Sequence, residues 1–376
     1  MRTLVVTNDF PPRAGGIQTF VYELARRQWP ESLVVFAPTW PGAAEFDAAQ
    51  PFPVIRHSER TVLPVPSVSR RVCEIAVAEN CTSVWFGAAA PLALLGKALR
   101  TTAGVQRVIA STHGHEAGLS RLPVTRQMLQ RIAHSADAVT FLGDYTGRRL
   151  APALKATRLV HLPPGVDTKC FHPGVDGSSV RSGLDLSGRP TVVCVSRLVP
   201  RKGQDILIRA LPRIAARVPD TALLIVGGGP DMPRLQRLAA STGVADDVVF
   251  TGAVPAEELP AHYAAGDVFA MPCRTRYGGL DVEGLGIVYL EASAMGMPVV
   301  AGDSGGAPDA VREGETGYVV DGRSVDQVAD RVAGLLADPG RARAMGQRGR
   351  EWVEQDWQWD VLAARLRGLL TGPLVP

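Results

Sequence analysis

Two carboxylates and the glycine-rich segment beside them form the part of the chain best suited to chemistry. Glu283 and Glu291 have seven residues between them, and residues 287–295 have the composition of a helix. Gly284 and Gly286 come just before the first helical turn, where free backbone amides and the helix dipole favour a bound anion. Next to an anion, a carboxylate is suited to accept hydrogen bonds from neutral hydroxyl groups. The pattern therefore indicates a ligand with hydroxyl groups on both sides of a phosphate, such as a nucleotide-sugar.

Apolar runs flank this segment on both sides and must position it. Residues 267–272 precede it and residues 297–301 follow it, and both runs have the composition of buried parallel strands. Pairs of glutamates at this spacing also occur by chance on solvated surfaces. The interpretation as a site therefore depends on the rest of the chain.

The same alternation of apolar runs and helical patterns extends along most of the chain. It predicts α/β architecture with parallel, doubly wound sheets, because strands buried on both faces form continuous apolar runs. Further strands are predicted at 3–7, 33–37, 83–86, 107–110, 138–142, 191–195, 222–226 and 248–251, and helices at 17–27, 68–78, 92–99, 124–134, 204–216, 325–337, 341–355 and 361–370.

A stretch interrupted by prolines divides the chain into two parts. Residues 161–173 contain three prolines that break regular structure, and the polar residues 174–190 follow them. A chain of 376 residues is long enough for two domains, each with its own core. We expect one Rossmann-like domain at 1–168, a second at 169–355, and a separate C-terminal helix within 356–376.

Two cations lie in the loop after the first strand of the second half. Arg197 and Lys202 follow the predicted strand at 191–195, and their spacing allows both side chains to converge on one diphosphate. Arg201 is interpreted as their solvated neighbour. The glycine run at 227–229 is not a P-loop, because no Gly-Lys-Ser or Gly-Lys-Thr follows it.

Strand ends in the first half also carry residues suited to a ligand. Gly16 follows the strand at 3–7 and permits close approach of the backbone, but no third glycine completes the GxGxxG fingerprint, which disfavours classical NAD binding. His113 follows the strand at 107–110, at the carboxyl end where such sheets bind ligands. The sequence leaves open whether His113 or His115 contacts the ligand.

Composition describes a globular protein. The chain is 46% hydrophobic and 20% charged, with no apolar run long enough for a bilayer span and no signal peptide pattern at its start. Its five cysteines lack CxxC pairing and are expected to be reduced core residues without zinc. Residues 1–165 carry 18 Lys and Arg against 11 Asp and Glu, which makes this half the candidate for meeting an anionic partner.

Together these motifs resemble the retaining glycosyltransferases of the GT-B fold, in glycosyltransferase family 4. The resemblance covers nearly the whole chain. Within the family, residues 8–18 and 112–116 look most like the actinobacterial phosphatidylinositol-mannoside mannosyltransferases, which add a second mannose from GDP-mannose. The motifs are Pro-Pro at 11–12 before Gly-Gly at 15–16, Gly165-Val-Asp-x3-Phe171, Ser196-Arg197-x4-Lys202-Gly203, Gly-Gly-Gly-Pro at 227–230, and Glu283-x7-Glu291.

The resemblance implies two Rossmann-like domains facing a central cleft, with the acceptor bound by the first and the nucleotide-sugar by the second. It implies GDP-mannose as donor, a phosphatidylinositol mannoside as acceptor, no required cofactor or metal, and a peripheral location on the inner face of the cell membrane. The C-terminal helix would return to the first domain.

The resemblance also implies a role for each matched residue. Phosphate binding falls to a first group, and sugar, ribose or base binding to a second. In the first group, the charge on the departing GDP would be stabilised by Arg197 and Lys202, and the diphosphate would be approached by Gly16, Gly284, Gly286, Ile287 and Val288. In the second group, the mannose would be contacted by Glu283 and His113, the ribose by Glu291, and the base by Gly252 and Val254. Leu285 departs from the family, since many relatives have phenylalanine there.

Other functions remain open from the residues alone. A glycosidase also uses paired carboxylates, but the basic loop would then have no role. A glycosyltransferase using a UDP-sugar and another acceptor, a nucleotide-sugar epimerase, and a non-enzymatic nucleotide- or membrane-binding protein are further alternatives. Residues 60–71 mix apolar and basic side chains, which is typical of a peripheral membrane surface and equally of an ordinary loop and helix start.

Overall fold

The computed structural model describes residues 1–114, 116–120 and 122–372, which form two compact units. The first unit contains Met1–Gly165 and the chain from Trp359 onward, and the second contains Val166–Gln358. The sequence-based borders after residues 168 and 355, and the functional roles assigned to the domains, stay predictions.

The first unit is built on a seven-stranded parallel sheet with the order β3-β2-β1-β4-β5-β6-β7. The central strands are apolar and buried, as a parallel sheet covered on both faces requires. The strands are β1 (Arg2–Val6), β2 (Leu33–Pro38), β3 (Val54–His57), β4 (Cys81–Phe86), β5 (Arg107–Ser111), β6 (Ala138–Phe141) and β7 (Arg158–His161).

Helices cover both faces of this sheet. On one face α1 packs against the C-terminal α15, and Phe20 and Leu24 share a buried cluster with Leu362 and Leu366. A second cluster, which includes residues of α3, α4 and α6, fills the other face. The helices are α1 (Gly16–Ala25), α2 (Ala43–Ala48), α3 (Pro66–Ala78), α4 (Gly96–Ala103), α5 (Glu116–Leu119), α6 (Pro123–Ser135), α7 (Asp144–Leu150) and α15 (Trp359–Thr371).

The second unit repeats the plan with a six-stranded parallel sheet in the order β10-β9-β8-β11-β12-β13. Its strands are β8 (Thr191–Val195), β9 (Ala222–Val226), β10 (Val248–Gly252), β11 (Val268–Met271), β12 (Val299–Gly302) and β13 (Gly317–Val320). Its helices are α8 (Ser178–Gly183), α9 (Gln204–Ala215), α10 (Met232–Thr242), α11 (Leu259–Ala264), α12 (Ile287–Ala294), α13 (Val325–Leu336) and α14 (Pro339–Asp356).

Each sheet has one point where the strand order reverses. The chain of the first sheet runs outward from β1 to β3 and then continues on the other side of β1 with β4. In the second sheet the same reversal separates β8 from β11. Doubly wound sheets bind ligands at the carboxyl ends of the strands beside this point. The residues that follow β1, β4, β8 and β11 therefore have the best position for function.

The structure confirms the α/β class and every strand that the sequence predicts. Three strands were missed, and all three are at sheet edges: β3, β7 and β13. Edge strands are covered less completely than central ones, and every residue of β3 and β7 keeps some solvent exposure. Without a continuous apolar run, β3 and β7 carry a weak signal in the sequence, whereas β13 is mostly buried but its apolar run is only three residues long.

No helix within the described residues combines the length and the apolar composition needed to cross a bilayer.

A glycine in the middle of α14 yields a stability prediction. A Cβ at Gly346 would lie 1.8 Å from the carbonyl oxygen of Gly296, at the turn after α12. Although alanine is the better helix former, we expect Gly346→Ala to lower the free energy of unfolding by about 1–3 kcal/mol, because α14 must move away from that turn. Urea denaturation measures this change.

The control is Gly334→Ala in α13, where no atom lies within 4 Å of the added Cβ. The substitution changes only helix propensity there, so we expect the free energy of unfolding to rise by up to about 1 kcal/mol. Equal effects of the two substitutions would contradict the close packing at Gly346.

Candidate functional site

The loops after β8 and β11 meet at the reversal point of the second sheet. Gly203, which ends the loop after β8, has a φ of +82°, and a Cβ there would lie 2.0 Å from the carbonyl oxygen of Pro272 in the loop after β11. Only glycine allows this approach. The two loops carry Lys202 and Glu283, which the sequence predicts as site residues.

Lys202 and Glu283 form an ion pair, with 2.7 Å between Nζ and Oε2. Lys202 is 9% exposed and Glu283 is 6% exposed. Two charges removed from water to this extent stabilise one another only when they are close together. The structure thus brings together a cation assigned to the diphosphate and a carboxylate assigned to the sugar.

The backbone of Glu283 is held by the turn after β12. Its N–H donates to Ser304 Oγ over 3.2 Å, and its carbonyl accepts from the N–H of Gly306 over 2.9 Å. A Cβ at Gly305 would lie 2.0 Å from the same carbonyl. Three neighbouring loops therefore fix the position of this carboxylate, as an orienting group requires.

Arg201 corrects the interpretation of the basic loop. It is not a solvated neighbour, since its Nε lies 3.7 Å from Glu283 Oε2 and 3.7 Å from Asp281 Oδ1. The short helical turn Pro200–Lys202 directs both Arg201 and Lys202 toward Glu283. Arg197, by contrast, is exposed. The sequence shows that these residues are basic, but it does not show which of their side chains turns inward.

The start of α12 has the conformation expected of an anion site. Gly286 caps the helix with a φ of +79°, and a Cβ there would lie 2.4 Å from the ring of Tyr289. No atom lies within 4 Å of a Cβ placed at Gly284, so the space beside that residue is open. The amides of Ile287 and Val288 lie in the first turn, where an α-helix provides no acceptors for them.

Glu291 lies one turn into α12 and accepts a hydrogen bond from the hydroxyl of Tyr263 over 2.7 Å. Burial raises the pKa of the Glu291 carboxyl, and the hydrogen bond from Tyr263 opposes this shift. Burial and the Glu291 charge also raise the pKa of Tyr263 well above its usual value. Tyr263, in α11, was missed because no local pattern links it to residue 291.

Gly252 and Val254 lie at the carboxyl end of β10, which β9 separates from β8. Gly252 has a φ of +73°, and its carbonyl accepts from the N–H of Gly227 at the end of β9. Val254 is partly buried against the core of the unit. The two residues therefore share the sheet edge of Lys202 and Glu283, and their assignment to a base stays a prediction.

In the first unit, His113 follows β5, one strand away from the reversal point between β1 and β4. Its Nε2 is 2.6 Å from the carbonyl oxygen of Gly87, which directly follows β4. A carbonyl only accepts, so Nε2 carries the proton. The ring also packs edge-on against Phe20 at 5.0 Å. His115 lies outside the described residues. Gly16 begins α1 and is exposed, with no atom within 4 Å of a Cβ placed there.

Comparison with known proteins agrees with this geometry. The family model described as Glycosyltransferase Family 4 matches residues 14–169, and the model described as Glycosyl transferases group 1 matches residues 180–352. The chain is 57% identical to a GDP-mannose-dependent alpha-(1-6)-phosphatidylinositol monomannoside mannosyltransferase of Mycolicibacterium smegmatis, with 98% of each chain covered. The chain belongs to this family of mannosyltransferases.

A second relative and a solved structure extend the comparison. The GDP-mannose-dependent monoacylated alpha-(1-6)-phosphatidylinositol monomannoside mannosyltransferase of Corynebacterium glutamicum is 48% identical, with 98% of this chain and 97% of the relative covered. The crystal structure of Anabaena HepE in complex with UDP has a TM-score of 0.80 at 19% identity, covering 98% of each chain. At this identity the likeness concerns the fold, which is the GT-B fold of glycosyltransferases.

In this member of the mannosyltransferase family, the described residues include no group of three or more His, Cys, Asp or Glu that could hold a metal ion. All five cysteines are unpaired thiols, and all but Cys170 are buried. Leu285, the departure from the family pattern, is 4% exposed and belongs to the core of the second unit.

The raised pKa of Glu291 yields a prediction about stability and pH. Because the folded protein disfavours the ionised carboxyl, the stability penalty is absent below the unfolded pKa of about 4.3 and grows as the pH rises toward the folded pKa. We expect Glu291→Gln, which keeps an oxygen for Tyr263 and carries no charge, to unfold at a higher temperature than the wild type at neutral pH.

The advantage of Glu291→Gln should shrink as the pH falls through the raised pKa of the wild-type carboxyl toward the unfolded value of about 4.3, because the folded wild type then takes up its proton. Thermal unfolding of both proteins across this range provides the measurement. A variant that is less stable at neutral pH would contradict the prediction.

Proposed function

We propose that this protein is a retaining mannosyltransferase that transfers mannose from GDP-mannose to a phosphatidylinositol monomannoside, forming the dimannoside. The observation that carries the proposal is the 57% identity to a relative of that activity over 98% of the chain. The buried Lys202–Glu283 pair at the reversal point of the second sheet supports it, since doubly wound sheets bind their ligands at that point.

In this proposal the second unit binds the donor. Lys202 and Arg197 bind the diphosphate, and the amides at Gly284, Gly286, Ile287 and Val288 add further donors at the positive end of α12. Glu283 accepts hydrogen bonds from mannose hydroxyls, Glu291 binds the ribose, and the backbone at Gly252 and Val254 reads the base. In the first unit, Gly16 approaches the diphosphate, and His113 contacts the mannose near the bond that breaks.

The chemical step breaks the bond between mannose C1 and the β-phosphate oxygen, and GDP leaves with the electron pair. The acceptor hydroxyl attacks C1 from the face of the leaving group, so the configuration is retained. The proton of that hydroxyl passes to the departing phosphate oxygen. Lys202 and Arg197 stabilise the developing negative charge, which is the largest contribution expected of such a site. With these cations in place, the proposed reaction requires no metal.

We propose that the first unit binds the acceptor and touches the inner face of the cell membrane. Leu63, Val65 and Val77 expose 50%, 42% and 59% of their surface on and before α3. Arg70 and Arg71 are exposed on the same helix, and Arg71 Nη1 lies 3.6 Å from Glu74 Oε2. Apolar side chains beside cations suit anionic lipid, which attracts each basic residue by about 1 kcal/mol.

The first test is transfer of label from GDP-mannose to phosphatidylinositol monomannoside. We expect a lipid-linked product from GDP-mannose, none from UDP-glucose or UDP-N-acetylglucosamine, and the same rate in EDTA. Product from a UDP-sugar alone would contradict the assigned donor, and loss of activity in EDTA would contradict the absence of a metal requirement.

Glu283→Gln then tests the site. It removes the charge but keeps the shape, and we expect transfer to fall about 100-fold or more, as for other groups that stabilise a transition state. Glu257→Gln, at an exposed position of the same unit, is the matched control and should keep the wild-type rate. Unchanged transfer in Glu283→Gln would remove Glu283 from the site.

Membrane contact is tested with the double variant Arg70→Glu/Arg71→Glu in sedimentation with anionic vesicles. We expect binding at least about ten-fold weaker, because two attractions become repulsions. Arg209→Glu/Arg343→Glu changes the net charge equally at exposed positions of the second unit and should bind nearly as the wild type does. If both double variants lose binding alike, net charge and not this surface is responsible.

A further inference from the structure

Five charged side chains of the second unit form a row of alternating sign. Arg276 Nη1 lies 3.6 Å from Asp281 Oδ2, and Arg201 Nε lies 3.7 Å from Asp281 Oδ1 on the other side. The same Nε lies 3.7 Å from Glu283 Oε2, and Lys202 Nζ lies 2.7 Å from that oxygen. Glu283 thus has two cations, one at close range and one about an ångström further away.

The ion pair and the proposed reaction place opposite demands on Lys202. Within the described part of the chain, Lys202 is the nearest cation to the buried Glu283 carboxylate. A lysine that turns toward a diphosphate weakens its contact with that carboxylate. A carboxylate that is 6% exposed and loses its partner is strongly destabilised, so another cation must compensate for the change.

We propose that Arg201 is that cation: it takes over the charge of Glu283 when Lys202 binds the diphosphate of the donor. Arg201 is then a positioning residue, which acts on the ligand through Glu283 and Lys202. The proposal rests on the proposed function, because that function assigns Lys202 to the diphosphate.

The backbone around Arg201 supports such an exchange of partners. Its carbonyl accepts from the N–H of Arg274 over 2.8 Å. The Arg274 guanidinium in turn donates two hydrogen bonds of 2.9 Å each to Asp205 at the start of α9. These contacts fasten the basic loop to the loop after β11. The backbones that carry Arg201 and Glu283 are therefore held next to each other by these two anchored loops.

The guanidinium also suits this role better than an ammonium group does. Arg201 lies between two carboxylates, those of Asp281 and Glu283, and a planar group with five donors can engage both at once. The Arg201 side chain keeps 27% of its surface in solvent, while Nε, the atom nearest to both carboxylates, is buried.

The test is a double-mutant cycle read by the affinity for GDP, which has no mannose for Glu283 to bind. In the wild-type background, Arg201→Met leaves Lys202 as the only close partner of Glu283, and we expect the Kd for GDP to rise about ten-fold or more, or about 1.4 kcal/mol. In the Glu283→Gln background, no carboxylate competes for Lys202, and the same substitution should change the Kd by less than about three-fold. Isothermal titration calorimetry measures all four proteins.

Two results would overturn the proposal. An equal loss of affinity in both backgrounds would mean that Arg201 binds the diphosphate directly. No loss in the wild-type background would mean that Arg201 has no influence on the donor. Arg201→Lys keeps the charge but loses the planar group, so we expect its Kd for GDP to rise about three-fold, less than for Arg201→Met. If Arg201→Met unfolds, Arg201→Gln, which also removes the charge, takes its place in the cycle with the same expected results.

Lys202→Met separates failure of this proposal from failure of the proposed function. We expect it to weaken GDP binding in both backgrounds. If Lys202→Met leaves the Kd for GDP unchanged, the assignment of Lys202 to the diphosphate is wrong, and the proposed donor site fails with it. If Lys202→Met weakens binding and the cycle shows no coupling, only the role of Arg201 is wrong.

Discussion

The buried contact between Lys202 and Glu283 places the strictest demand on the second unit. A lysine and a glutamate with so little exposure are tolerated only when their charged atoms are close, and here they are 2.7 Å apart. Their loops follow β8 and β11 and must run side by side. Glycines at positions 203 and 305 make this approach possible, since a side chain at either would collide with a neighbouring carbonyl. The architecture of the loops is thus a consequence of the charge pair.

Under the proposed function, this arrangement lets one site bind both a phosphate and a sugar. The positive end of α12 and the basic loop attract an anion, and Glu283 would repel it if its charge were not balanced. Paired with Lys202, the carboxylate presents little net charge to the approaching ligand. The oxygens of a carboxylate paired with a cation still accept hydrogen bonds from hydroxyl groups. The pair therefore allows an anion and a sugar to bind at the same sheet edge.

Both units use the same solution for placing functional side chains. His113 contacts the carbonyl of Gly87 after β4, beside β1, and Lys202 contacts Glu283 between β8 and β11. In the second sheet the strand order reverses between β8 and β11 themselves. In the first sheet it reverses between β1 and β4, one strand away from β5, which precedes His113. The helices on either side diverge at such a point and leave room for a ligand. The buried strands and helix faces stabilise each unit, and the candidate functional residues lie in the loops at the carboxyl ends of the strands.

The sequence by itself determined the fold class, the central strands and the types of residue available for chemistry. Short continuous apolar runs such as Ala222–Val226 favour buried strands, and they alternate with helical patterns in the way that predicts parallel sheets. The edge strands β3 and β7, whose residues are all partly exposed, gave no such signal. Glu283, Glu291, Lys202 and the glycines before α12 were recognisable because local spacing and helix-end chemistry act over a few residues.

Only the tertiary structure decided which of these residues meet. The contacts of Lys202 with Glu283, of Arg201 with Asp281, and of Tyr263 with Glu291 join segments that are 28 to 81 residues apart. Such pairs depend on loop geometry and on positive-φ glycines that let two backbones touch. Composition and periodicity describe each segment alone, so Arg201 could not be distinguished from a solvated arginine until the loop after β11 lay beside it.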